Sequence, residues 1–219
     1  GGGGEEEEDD EDEGVMLAKL HPSFLHSNAT AHIWALGAVA ELVDNAVDEH
    51  KTSGATRVCV DYHAHSKGMA IDDDGGGMEP ARLHACLSLG FSLGKCEGGG
   101  AVGRYGNGLK TSCMKLGRDV LVATRCLRSN TASVGLLSQS YLRCTYATDP
   151  LVPMASWRLS DGEPIKDGKG RKENIRIILR WGPFKTEKEL LAHVMVAGAG
   201  QLSGVPTSGG QLAAAAAPA

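Results

Sequence analysis

The chain has 219 residues, 42% hydrophobic and 22% charged, which is enough for one domain with a buried core. Its six cysteines are scattered without a CxxC pair, unlike a zinc site or a secreted disulfide framework, and no stretch approaches the ~20 apolar residues of a membrane span. The formal charge of −5 resides in residues 5–13, nine consecutive acids, and without them the chain stands at +4.

Residues 1–14 read as a disordered acidic tail, because a run of like charge repels itself. No signal region precedes it, and the chain opens on Gly1 rather than Met, as a piece of a longer reading frame would. Ordered structure is expected over residues 15–197. Residues 32–50 spell a helix, with Leu36, Val39, Ala40, Val43 and Val47 at helical spacing and Thr30 as its N-cap. Gly54 ends that helix. Thr56–Tyr62 alternates as a strand, and Gly68–Asp72 is a second short strand. Pro80–Leu89 reads as a short helix with proline in its first turn. A glycine-rich loop fills 90–106. Asn107–Leu116 is helical and stops at Gly117.

Four strands are expected next: Asp119–Cys126, Ala132–Ser138, Tyr141–Tyr146 and Asn174–Arg180, the first three as an antiparallel meander. Thr186–Met195 is a closing helix with a capping box from Thr186 to Glu189. Residues 198–219 are Gly, Ser, Pro and Ala without a period, a low-complexity tail. Helices first and mostly antiparallel strands after predict an α+β two-layer sandwich, with helices packed on a mixed, mostly antiparallel sheet.

Three motifs carry chemistry. On the first helix, Glu41, Asn45 and Asp48 fall on one line, opposite the apolar stripe. A plain solvated face is the bland alternative. The sharper one gives Asn45 to a hard cation such as Mg²⁺, which takes oxygen ligands, and Glu41 to a water attacking a phosphate.

The second motif, Asp72-Asp73-Asp74-Gly75-Gly76-Gly77-Met78, ends a strand. It lacks EF-hand spacing. It is either an Asp/Gly turn or a pocket in which a carboxylate accepts a hydrogen bond from a base amine while Met78 packs on the ring.

The third, Gly103-Arg104-Tyr105-Gly106-Asn107-Gly108-Leu109-Lys110, runs into a helix. Backbone N–H groups and the helix dipole there suit a phosphate. The spacing is neither that of a Walker loop nor set in a βαβ unit. Lys110 is either a phosphate contact or a surface lysine.

In this order the motifs read E-x-x-D-N-A on a helix, D-x-G-x-G-M after a strand and G-x-x-G-x-G opening a helix. So arranged, the chain resembles the GHKL ATPase superfamily of gyrase, the heat-shock chaperone of ninety kilodaltons, histidine kinases and MutL. The flanking text is more specific. It includes His21-Pro-Ser-Phe-Leu-His-Ser-Asn-Ala-Thr30, Leu89-Gly-Phe-Ser92, Val134-Gly-Leu-Leu-Ser138 and Trp181-Gly-Pro-Phe184. Over roughly residues 20–195 the chain looks like a microrchidia (MORC) ATPase of the plant type.

That resemblance implies a Bergerat-type ATP-binding domain with ATP and Mg²⁺ as cofactors. Glu41 would be the general base and Asn45 the Mg²⁺ ligand, with Asp48 beside them. Asp73 would hydrogen-bond the adenine amine, with Gly75, Gly77 and Met78 shaping the base pocket. Gly103, Arg104, Tyr105, Gly106, Asn107, Gly108, Leu109 and Lys110 would surround the phosphates, under a lid at 90–106. Arg104 stands where the family usually has Gln, and Leu109 where it usually has Phe.

The family closes into head-to-head dimers with ATP bound and acts on chromatin in gene silencing. A homodimer or a heterodimer with a related chain, DNA contact through the full-length protein, a nuclear location and no membrane are therefore expected. The family also carries a second, transducer-like domain with a lysine that reaches the γ-phosphate. Here the text turns to Gly, Ser and Ala instead. Little turnover by this chain alone is the expectation, and a non-hydrolysing, nucleotide-gated interaction module is the alternative.

Overall fold

The computed structural model describes residues 34–63, 68–88, 108–145, 151–165, 170–196 and 212–216. The strands are β1 (Val58–His63), β2 (Gly68–Asp73), β3 (Asp119–Cys126), β4 (Thr131–Ser138), β5 (Met154–Arg158) and β6 (Leu212–Ala216). They form one sheet in the order β1-β2-β6-β3-β4-β5, and all five pairings are antiparallel. The helices are α1 (Ala35–Ser53), α2 (Pro80–Leu87), α3 (Gly108–Leu116), α4 (Gln139–Cys144), α5 (Arg171–Trp181) and α6 (Glu187–Val196).

Successive residues of a strand face opposite ways, so β2, β3, β4 and β5 each feed two cores. Ile71, Val120, Val122 and Leu137 pack with Leu42, Met78, Leu83 and Met114 beneath α1, α2 and α3. Leu121, Ala123, Val134, Leu136 and Trp157 pack with Ile175, Ile178, Leu190 and Val194 beneath α5 and α6. The fold is α+β, with helices packed on an antiparallel sheet. Helices cover both faces, and two segments expected as strands are helical, one adding Leu142 to the first core and the other Ile175 and Ile178 to the second.

Those segments are Tyr141–Tyr146 and Asn174–Arg180. Of the first, Tyr141–Cys144 belongs to α4, where the Ser138 hydroxyl accepts a hydrogen bond from Tyr141 N at 2.9 Å and starts the helix, and Tyr146 lies outside the described residues. The second belongs to α5. Its β-branched run favours a strand locally, but Ile175 and Ile178 are buried three residues apart, and tertiary packing overrides propensity. The closing helix α6 is as expected. Glu189 N donates to the Thr186 hydroxyl at 3.1 Å, while the Glu189 carboxylate accepts from Lys185 N at 3.0 Å.

Helix α1 is present, but its buried face is not the predicted one. It starts at Ala35 with Trp34 at the N-cap, and Thr30 lies outside the described residues. Leu36 is 64% exposed and Val47 is 47% exposed, and Ala40 is exposed too. The buried line is Ala38, Leu42 and Ala46, at i, i+4 and i+8. Small residues let α1 approach α3 closely, and they place Glu41 and Asn45 at the edge of the interior rather than on a solvent face. Gly54 closes the helix in the left-handed region at φ 76, donating to His50 O.

Two strands go beyond what the sequence predicts. No periodic signal marks β5. β6 lies within 198–219, where a tail without structure is expected. Its residues, one leucine and four alanines, have poor strand propensity. They pair with Met69–Ile71 of β2 and Asp119–Ala123 of β3, so backbone hydrogen bonding on both sides accounts for the strand. The five described cysteines are free.

Candidate functional site

Motif one and motif three meet at the start of α3. The Glu41 carboxylate rests against Gly108, where a Cβ would lie 2.2 Å from Glu41 Oε1. One turn along α1, Asn45 is half-buried, and its amide nitrogen is enclosed without a hydrogen-bond partner among the described residues. Asn45 borders a small, partly open cavity whose other walls are Leu42, Ala46, Ile71, Asp73, Leu109 and Val122. The cavity thus joins α1, the end of β2, the start of α3 and the middle of β3. Asp48 does not line it. It carries an ion pair to Lys51 at 3.1 Å, on the next turn.

The three adjacent aspartates divide the work at the end of β2. Asp73 shares a face with Ile71 and lines the cavity, with Oδ1 accepting from Gly75 N at 2.9 Å. Asp72 turns to the other face and is buried, with the Arg57 guanidinium as the charge that faces it. Burial pushes its pKa up to about 6, with Arg57 opposing and Asp73 and Asp74 adding to the rise. Asp74 accepts from Thr56 N, the Thr56 hydroxyl and Arg57 N at 2.7–2.8 Å, which fixes the start of β1 beside the end of β2.

The glycines after them are placed by the sheet. Gly77 sits at φ 67, and a Cβ there would lie 1.7 Å from Arg125 O. Met78 N donates to the buried Thr124 hydroxyl at 2.8 Å. The loop is therefore pinned to β3, two residues beyond the cavity wall at Val122. The Met78 side chain is packed in the core with Leu42 and Ile71 and does not line the cavity.

Gly103, Arg104, Tyr105, Gly106 and Asn107 lie outside the described residues, as does the segment 90–106. Leu109 lines the cavity. Lys110 is buried, and its Nζ donates to Ser88 O at 2.6 Å, so it braces the end of α2 against the start of α3. Burial lowers its pKa, partly offset by Cys86.

Sequence reasoning missed Leu42, Ala46, Ile71 and Val122 as walls and Thr124 as the anchor of the loop. The i, i+4, i+8 run Ala38, Leu42, Ala46 was the available signal for two of them. For Thr124 there was none, since only the strand pairing sets it beneath Met78.

The residues present fit a nucleotide with a hard cation. The unmatched Asn45 nitrogen wants an acceptor such as a phosphate oxygen, and the oxygen of the same amide is a ligand type such a cation takes. Among the described residues no cluster of three His, Cys, Asp or Glu could hold a metal by itself.

Residues 34–147 match the family described as histidine kinase-, DNA gyrase B- and HSP90-like ATPase. Protein MICRORCHIDIA 7 of Arabidopsis thaliana is 46% identical over 79% of this chain and 26% of its own length. Protein MICRORCHIDIA 2 of the same plant is 48% identical over 80% of this chain and 29% of its own length. The chain therefore spans under a third of the length of these relatives. Among solved structures, the ATPase region of Saccharomyces cerevisiae topoisomerase II is similar at a TM-score of 0.42 and 16% identity, covering 58% of this chain and 34% of that one.

Proposed function

We propose, because this chain belongs to the histidine kinase-, DNA gyrase B- and HSP90-like ATPase family and its relatives there are microrchidia proteins, that it is the Mg²⁺-dependent, ATP-hydrolysing head of a microrchidia-like chromatin protein. The observation that carries the reading is that Asn45 of α1 and Asp73 of β2 line one cavity at the start of α3, while the Glu41 carboxylate, one turn before Asn45, lies against Gly108. In this reading Asp73 accepts a hydrogen bond from the adenine amine. Asn45 holds the cation, which offsets phosphate charge. Glu41 takes a proton from the attacking water, a role suited to a carboxylate beside the cation rather than on it. Nucleotide-dependent pairing of two such heads, action on DNA in gene silencing and a nuclear location complete the proposal, by analogy with the family.

Mg·ATP binding by calorimetry and phosphate release test it. Asn45→Ala should weaken Mg·ATP binding by about tenfold or more, the size of a lost charge-assisted contact. Glu41→Ala should keep the affinity and cut turnover by at least about a hundredfold, the usual worth of a general base. Unchanged affinity in the first or unchanged turnover in the second would end the respective assignment.

One observation favours the second reading, binding without turnover. No lysine or arginine among the described residues lines the cavity, and Lys110 is turned to Ser88 O. A single-turnover measurement at saturating nucleotide separates the two, since phosphate release at background would leave the switch.

A further inference from the structure

Gly108 is the last glycine of the G-x-x-G-x-G motif, and a phosphate cradle would give it one role: close approach of backbone to phosphate. Its own backbone does not require glycine. The described glycines in the left-handed region are Gly54, Gly77 and Gly162, and Gly108 is not among them. A side chain at 108 meets one obstacle instead. Its Cβ would lie 2.2 Å from Oε1, 3.1 Å from Cδ and 3.3 Å from Cγ of Glu41, and the three nearest atoms all belong to that side chain.

We propose that Gly108 is a positioning residue for Glu41: its missing side chain is the seat of the Glu41 carboxylate at the start of α3. The inference rests on the reading of Glu41 as the base, and it moves Gly108 from phosphate binding to base placement. Two properties follow from the geometry. The obstacle is the far end of a flexible side chain, so Gly108→Ala should leave the fold intact and swing Glu41 aside. The backbone N–H of residue 108 is retained in that variant, so whatever it offers a phosphate is retained too.

The test is a cycle of Gly108→Ala, Glu41→Ala and the double variant, read three ways. In ligand-free protein with ¹³C-labelled glutamate carboxyls, the Glu41 resonance, identified by its loss in Glu41→Ala, should move in Gly108→Ala. Nucleotide affinity should stay within about threefold in all three variants, because the change falls on the reacting step and not on uniform binding. Turnover should fall by at least about a hundredfold in Gly108→Ala, the worth of a base, and no further in the double variant, since the residues act as a unit.

An unmoved Glu41 resonance overturns the proposal. So does an affinity loss of about tenfold or more from Gly108→Ala in the Glu41→Ala background, the signature of a direct phosphate role. If the unsubstituted protein shows no turnover, the hydrolytic reading fails by itself, and the resonance and affinity arms still decide this one.

Discussion

Asp72 and Asp73 are consecutive on β2, both buried, and serve opposite faces of the sheet, one on the face that Ala70 gives to the second core and the other lining the cavity beneath α1. One residue of register separates the carboxylate on the cavity from one that burial on the other face disfavours. Asp73→Asn should weaken nucleotide binding by about 10- to 100-fold, since it removes a charged acceptor. Asp72→Asn should leave affinity within about twofold and raise stability at pH 7.5 by about 1–2 kcal/mol, because it removes a charge that burial disfavours. Calorimetric titration and urea unfolding of both variants check this. Equal affinity losses would mean that the two carboxylates share one site.

The loop after them makes a second contrast. Gly77 and Gly54 both have positive φ, 67 and 76, but a Cβ at 77 would lie 1.7 Å from Arg125 O while a Cβ at 54 meets nothing within 4 Å. Gly54→Ala should cost only the left-handed backbone penalty, about 1 kcal/mol. Gly77→Ala adds a clash with the backbone of β3, which cannot swing away, and should cost more than about 3 kcal/mol. It should also displace Met78 N from the Thr124 hydroxyl. Thermal unfolding of the pair measures the difference, and similar melting temperatures would show that the loop can lift off the strand.

The resemblance of the motif order to the GHKL superfamily assigns Glu41, Asn45, Asp73 and Gly108 to one site, and the fold sets Glu41 against Gly108 and puts Asn45 and Asp73 on one cavity. The phase of α1 was not legible. Leu36 and Val47 look like core residues by hydropathy, yet Ala38 and Ala46 are buried instead, because the approach of α3 selects for size. Residues 174–180 look like a strand until Trp157 and its neighbours supply an apolar surface for Ile175 and Ile178. The alanine strand β6 is set by the two strands it joins and not by its own composition. What the sequence withheld in each case was a partner distant in the chain.

Such a distant partner also sets the acid response. His193 on α6 is buried with its ring 4.7 Å from that of Phe184, and neither ring nitrogen has a hydrogen bond among the described residues. Burial pushes its pKa down from 6.5 to about 4, with Glu189 opposing. The unfolded chain therefore takes up a proton at this residue before the folded chain does. Stability that is whole above pH 6.5 is lost as pH falls from 6.5 toward 4. The loss reaches up to about 3 kcal/mol, since one proton taken up by the unfolded chain alone is worth about 1.4 kcal/mol for each pH step of one.

Asp72 runs the other way. Its folded value of about 6 stands above the ordinary 3.8, so the folded state binds the proton first and gains stability as pH falls through the same range. The two slopes offset each other in the unsubstituted protein, and single variants should separate them. Asp72→Asn should steepen the loss of stability between pH 6.5 and 4, while His193→Leu should remove that loss and leave stability rising toward pH 4. Urea unfolding across this range reads both slopes. Parallel curves for the two variants would mean that neither group titrates as its burial requires.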